Sequence, residues 1–144
     1  MSDYYQAHKE ILQGNARARY AANKDEINKR RRRNPHSLWS ILVRNARIRS
    51  IPFHITSDQF IQWFNDQPQT CIYCDIPVER LNIVDRAKKM AKRLTIDRLN
   101  NDLGYTIENI GLACMRCNFI KSNILTEKEM IEIGQKYFKP KWQS

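Results

Sequence analysis

The sequence predicts an α+β fold: a β-hairpin followed by a short helix, stapled by four cysteines and flanked by further helices. Three observations predict it. The cysteines fall in two pairs of equal spacing, Cys71-x-x-Cys74 and Cys114-x-x-Cys117. Between the pairs lie two short β-branched runs separated by turn residues. Outside them, apolar residues recur at the spacing of helices.

The chain has 144 residues, enough for one modest domain and an appendage. Four segments follow from composition. Residues 1–34 are a basic N-terminal arm, polar throughout and ending in Lys29-Arg30-Arg31-Arg32-Arg33. Tyr5-Gln6-Ala7-His8-Lys9 is echoed by Tyr20-Ala21-Ala22-Asn23-Lys24, but two copies are too few for a solenoid. Five adjacent cations repel one another unless a polyanion screens them. The arm therefore reads as a helical segment lying along nucleic acid, with a solvated tail as the plainer alternative.

Residues 35–70 form a helical segment that packs on the core. Pro35 closes the arm, and Ser37 is an N-cap for a helix reaching about Arg49. Trp39, Leu42, Val43 and Ala46 share one face of it, while Arg44, Arg47 and Arg49 lie off that face. Thr56 and Gln59 form a capping box, with Ile55 and Phe60 as the hydrophobic staple. Phe60, Trp63 and Phe64 then face the core, and Pro68 stops the helix. Residues 126–144 hold a last helix, begun by a second capping box, Thr126 with Glu129. Its apolar face is Met130, Ile133 and Tyr137, and Lys139-Pro140-Lys141-Trp142 reads as a frayed end.

Residues 71–125 are the core. A C-x-x-C turn aims two thiolates at one centre, and two such turns complete a tetrahedral S₄ shell for a closed, structural Zn²⁺ site. Four buried thiols or two disulfides are the alternatives. The opening MSDYYQAHKE has no secretion signal, so a reducing, cytoplasmic location is expected and disulfides are disfavoured. Between the pairs, Leu94-Thr95-Ile96-Asp97 alternates like a strand, Asn100-Asn101-Asp102-Leu103-Gly104 is turn chemistry, and Asn109 to Ala113 can return. From Met115 the chain turns helical. Asp97 at a strand end and Asn118 in the following helix thus present two oxygen ligands from facing elements, as a Mg²⁺ site with several retained waters requires.

These residues resemble a known family. Cys71-Ile-Tyr-Cys74, with Leu94-Thr-Ile-Asp-Arg-Leu-Asn-Asn-Asp-Leu-Gly-Tyr through Cys114-Met-Arg-Cys-Asn-Phe-Ile-Lys121, is similar to the HNH (ββα-metal) endonucleases. It is most like a small phage-type branch with an Asp-Arg-(Ile/Leu)-(Asp/Asn)-Asn…Gly-Tyr…Asn signature. The likeness spans roughly residues 51–125. It implies a metal-dependent HNH endonuclease hydrolysing DNA phosphodiester bonds, with a catalytic Mg²⁺ or Mn²⁺ ion besides the structural zinc. By position, Asp97 and Asn118 match the metal ligands. Asn109 matches an asparagine that ties the hairpin loop, and Lys121 a basic residue near the scissile phosphate.

The family usually has a histidine base after the Asp; here it is Arg98. Arginine, with a pKa of about 12.5 or higher, is a poor proton acceptor. Arg98 therefore reads as a phosphate clamp, with His54 or His36, or remotely His8, as a substitute base. The rival reading is an inactive zinc-ribbon nucleic-acid-binding module.

Charge agrees with a polyanionic partner, double-stranded DNA. Lys and Arg outnumber Asp and Glu by 25 to 15, a net charge of +10, and the pI is about 9.7. The cations assigned to DNA contact are Lys29, Arg30, Arg31, Arg32, Arg33, Arg44, Arg47, Lys88, Lys89, Lys92, Arg93 and Arg116. A mean hydropathy of −0.67 and the absence of an apolar run near 20 residues exclude a membrane span. Oligomeric state is not written in the sequence.

Overall fold

A computed structural model describes residues 3–81 and 93–143. Lys88, Lys89 and Lys92 lie outside the described residues, as do the side chains of Lys29, Arg31 and Arg32. The chain divides into two compact units, Met1–Asn34 and Pro35–Ser144. The first is helix α1, Asp3–Arg32. Its described side chains are exposed or half-exposed, including Arg30, and Arg33 just beyond it is exposed.

The second unit opens with α2, Pro35–Ile48. Pro35 begins this helix rather than closing the arm, and Ser37 lies inside it. Proline suits a helix's first turn, where its missing N–H would have had no partner. The buried line is Leu38, Leu42 and Ala46, with Trp39 half-buried and its Nε1 donating to the Ile55 carbonyl at 3.0 Å. Helix α3, Ser57–Asp66, carries the expected capping box, Thr56 with Gln59. A cap of this kind contributes about 1 kcal/mol. Its Phe60 is fully buried, and Phe60→Ala would cost roughly 3–5 kcal/mol.

Strands β1, Thr95–Arg98, and β2, Ile110–Ala113, form an antiparallel hairpin pairing Asp97 with Gly111 and Arg98 with Ile110. Helix α4, Met115–Lys121, follows directly, N-capped by the Cys114 sulfur. Two other segments dock on the hairpin. Ile72 N–H donates to the Leu112 carbonyl at 2.9 Å, laying the first cysteine turn beside β2. Phe53 pairs with Tyr105 as an isolated bridge. Gly104 permits that approach, because a Cβ there would sit 2.5 Å from the Pro52 carbonyl oxygen.

Helix α5, Glu127–Ile133, starts at the expected capping box of Thr126 and Glu129. It then widens into a π turn over Gly134–Phe138 and closes with α6, Lys139–Gln143. The extra residue of the π turn shifts the register. Phe138 therefore packs on the core, while Tyr137, expected there, is 53% exposed. Nor is the end frayed. Trp142 Nε1 donates to the Cys74 carbonyl at 2.8 Å, and Lys139 Nζ to Asp75 Oδ2 at 2.7 Å. Among the described residues no helix is long and apolar enough to cross a membrane.

Candidate active site

The four cysteines converge. All are buried, and their sulfurs lie within 4.8 Å of one another. A tetrahedron with Zn–S bonds of about 2.3 Å has edges of about 3.8 Å; Cys74 Sγ and Cys114 Sγ are 3.9 Å apart. That is far beyond the roughly 2.05 Å of a disulfide. Contact with Cys114, then Cys117, pulls the Cys71 thiol below its ordinary range. Contact with Cys114, Cys71 and Cys74 pushes Cys117 up. Four thiols at one centre cannot all lose their protons without a cation to offset the charge, so this set suits a metal such as zinc.

Asp97, on β1, and Asn118, on α4, border one cleft of about 320 Å³ together with Arg98, Asn101, Tyr105, Phe119 and Arg49. Asp97 is 7% exposed. Its Oδ2 accepts a short hydrogen bond from the Tyr73 hydroxyl and lies 3.2 Å from Lys121 Nζ. Both bonds fall on Oδ2, leaving Oδ1 for the cleft. Burial, and then the bond to Asp97, push the Tyr73 phenol above its ordinary pKa, so it stays protonated and donates.

The orientation of Asn118 follows by the same accounting. The Thr95 hydroxyl gives its one proton to the Ala113 carbonyl at 2.9 Å. It can then only accept from Asn118, whose amide must turn Nδ2 toward it, at 2.8 Å. Asn118 Oδ1 is thereby left free. Two oxygens without competing donors thus border one cleft, a donor set that fits a hard divalent cation with waters completing its shell.

The remaining expected site residues separate. Asn109 is buried under the loop: its Nδ2 donates to the Asn100 and Gly104 carbonyls at 3.0 and 2.9 Å. Its Oδ1 accepts from Asn100 N–H at 2.8 Å. Arg98 lines the cleft but is anchored, with Nη1 donating to the Asn101 and Leu103 carbonyls at 2.9 Å each and its guanidinium over Tyr105 at 5.5 Å.

Lys121 does not sit where a phosphate could reach it. It is 0% exposed, and besides Asp97 its Nζ donates to the Arg98 carbonyl at 2.8 Å and to Asn101 Oδ1 at 3.1 Å. An ammonium has three donors, and all are engaged inside the protein. Arg116 is likewise turned inward. The residue is half-buried: its guanidinium stacks 4.3 Å over Phe138, and its Nε and Nη2 are buried without hydrogen-bond partners. Arg44 and Arg47 are exposed on α2 without lining the cleft, and neither His36 nor His54 lines it. Arg93 borders an adjoining hollow of about 240 Å³, which shares Arg49, Ile96, Tyr105 and Asn118 with the first.

Tyr73 and Arg49 are the site residues that sequence reasoning missed. Tyr73 is the aromatic residue between the first two cysteines, but nothing in the spacing says where its ring points. Arg49 was legible as an off-face cation at the end of α2, and only the fold brings it to the cleft.

With this geometry established, comparison with known proteins is informative. A solved structure of PacI, a rare-cutting HNH restriction endonuclease that perturbs DNA, matches with a TM-score of 0.66 and 30% sequence identity. The match covers 74% of this chain and 77% of that one. The chain belongs to the HNH endonuclease family. No family model matches the chain, and no curated protein is significantly similar to it.

Proposed function

We propose that the protein is a metal-dependent endonuclease that hydrolyses phosphodiester bonds of double-stranded DNA, of the branch in which Arg follows the ligand Asp. The observation that carries this reading is the pair of uncommitted oxygens, Asp97 Oδ1 and Asn118 Oδ1, bordering a cleft lined with arginines. They would hold a Mg²⁺ or Mn²⁺ ion, while Cys71, Cys74, Cys114 and Cys117 would hold a structural Zn²⁺. When bound, the divalent ion supplies Lewis-acid stabilisation of the phosphate and the leaving oxygen.

The chain's own residues do the rest. Lys121 positions the Asp97 carboxylate. Asn109 holds the loop from which Arg98 takes its two carbonyl anchors. Arg98 then presents a fixed positive charge at the cleft wall, where it offsets the charge building on the phosphate. Arg49, exposed at the end of α2, adds a second cation. Exposed Arg30, Arg33, Arg44 and Arg47, with Arg93 in the adjoining hollow, contact DNA phosphates without reading sequence. A general base typically contributes about 10²–10⁴ in rate; an arginine in that place forgoes this contribution but not the electrostatic one.

The test is incubation of supercoiled plasmid with the zinc-loaded protein and Mg²⁺ or Mn²⁺. Nicking or linearisation that disappears in Asp97→Ala and in Asn118→Ala supports the enzyme. DNA retention with no cutting under either metal supports the inactive zinc-ribbon module instead.

A further inference from the structure

The geometry points to a second duty for the first cysteine turn: through Tyr73 it fixes the ligand of the hydrolytic cation, so the two metal sites are coupled. This inference rests on the reading that Asp97 holds that cation. Tyr73 lies between two of the four cysteines and is fully buried. Its backbone is clamped from the C-terminal side. Gln135 Nε2 donates to the Tyr73 carbonyl at 2.9 Å, and Gly134 packs so close to that carbonyl that any Cβ would clash with it. The next carbonyl, of Cys74, accepts from Trp142 Nε1 at 2.8 Å. The ring therefore has a fixed origin, and its hydroxyl reaches across to Asp97 Oδ2.

The consequence is specific to one oxygen. Tyr73 and Lys121 both occupy Oδ2, so the carboxylate cannot rotate freely and offers Oδ1 alone. A single carboxylate oxygen is what a small, water-retaining cation such as Mg²⁺ takes best. Groups that orient a metal ligand typically contribute 10- to 100-fold in metal affinity. If the hydroxyl served only to satisfy the core, its loss would lower stability and leave metal affinity alone.

Direct titration of Mn²⁺ into the full-length, zinc-loaded protein tests this, with unbound Mn²⁺ read by electron paramagnetic resonance. Tyr73→Phe keeps the ring and its packing, so about one zinc per chain should remain while the Kd for Mn²⁺ rises about tenfold or more. Equal Mn²⁺ affinity in Tyr73→Phe and wild type, with binding abolished in Asp97→Ala, overturns the coupling and leaves the cleft assignment standing. Undiminished binding in Asp97→Ala removes the cleft assignment and the coupling with it. Should Tyr73→Phe not fold, Gln135→Ala carries the test, since it loosens the Tyr73 backbone from outside the cleft. A severalfold weaker Mn²⁺ affinity is then expected, and an unchanged one overturns the proposal.

Discussion

Replacing Lys121 by Met removes an ammonium and leaves a side chain of similar length in its place. The lost contacts are the 3.2 Å ion pair with Asp97 and the hydrogen bonds to the Arg98 carbonyl and Asn101 Oδ1. Removing one partner of a buried ion pair costs about 3–5 kcal/mol. Asp97 keeps the Tyr73 bond and borders the cleft, which pulls its share toward the lower end. Each buried acceptor left unsatisfied adds about 1–3 kcal/mol, and the apolar replacement returns part of this. A net loss of about 3–4 kcal/mol follows. For a unit of this size, one kcal/mol moves Tm by roughly 4 °C, so a fall of about 12–16 °C is expected. Urea unfolding and thermal melts of the zinc-loaded protein measure it. A lysine on the surface touching phosphate would behave otherwise: its loss would cost under about 0.5 kcal/mol and act on DNA affinity alone. A folded Lys121→Met protein that loses less than 1 kcal/mol would refute the buried-clamp assignment.

Three further outcomes are expected. Asn109→Ala abandons the Asn100 and Gly104 carbonyls and the Asn100 N–H, a cost of about 2–4 kcal/mol, and hydrogen exchange should show residues 100–104 opening faster. The hydrogen bond from the Lys139 ammonium, in the C-terminal helix, holds the Asp75 carboxyl below its ordinary range. A lowered folded-state pKa means the tether to α6 is intact at neutral pH and is lost as pH falls through that lowered value. The Trp142 indole N–H signal should weaken in acid in the wild type, whereas Asp75→Asn, which has no carboxyl to protonate, should show a weakened signal at every pH and no such transition. Wild-type cleavage should show no inflection near the ordinary histidine pKa of about 6.5. Arg98→His should acquire one at the expense of the loop anchors; an inflection near 6.5 already in the wild type would mean that a histidine outside the cleft lining takes part.

Much of the architecture was legible because its signals are local. A capping box needs only the right residues three positions apart, and Thr56 and Thr126 both cap as expected. The cysteine pairs carry their geometry in their spacing. The hairpin is declared by alternation and by the Asn-Asn-Asp turn. What was not legible depends on tertiary register. A π turn of five residues exchanges Tyr137 for Phe138, and periodicity cannot announce an insertion that the helix itself creates. The end of the chain read as frayed because its anchors, Asp75 and the Cys74 carbonyl, lie more than 60 residues upstream. Pro35 was misplaced for a different reason: proline both ends helices and begins them, and only the neighbouring fold decides. Lys121 and Arg116 looked like surface cations because charge alone does not say which way a side chain turns.

These two inward cations change how the charge of the chain should be understood. A basic composition invites the view that every cation near the cleft meets DNA. Lys121 instead neutralises Asp97 from behind, and its three donors are used up there. A carboxylate held between an ammonium and a phenol needs no further partner on that oxygen, so its free oxygen remains available to the cleft. Arg98 divides its roles differently. Its Nη1 bonds tie down the loop while its delocalised charge still faces the cleft, which only a guanidinium can do, since a lysine has no second nitrogen to spare once its ammonium is anchored. A histidine could reach neither carbonyl as well. Arginine at position 98 is thus part of the loop's construction as much as of its chemistry, and a histidine introduced there would loosen the very loop meant to present it.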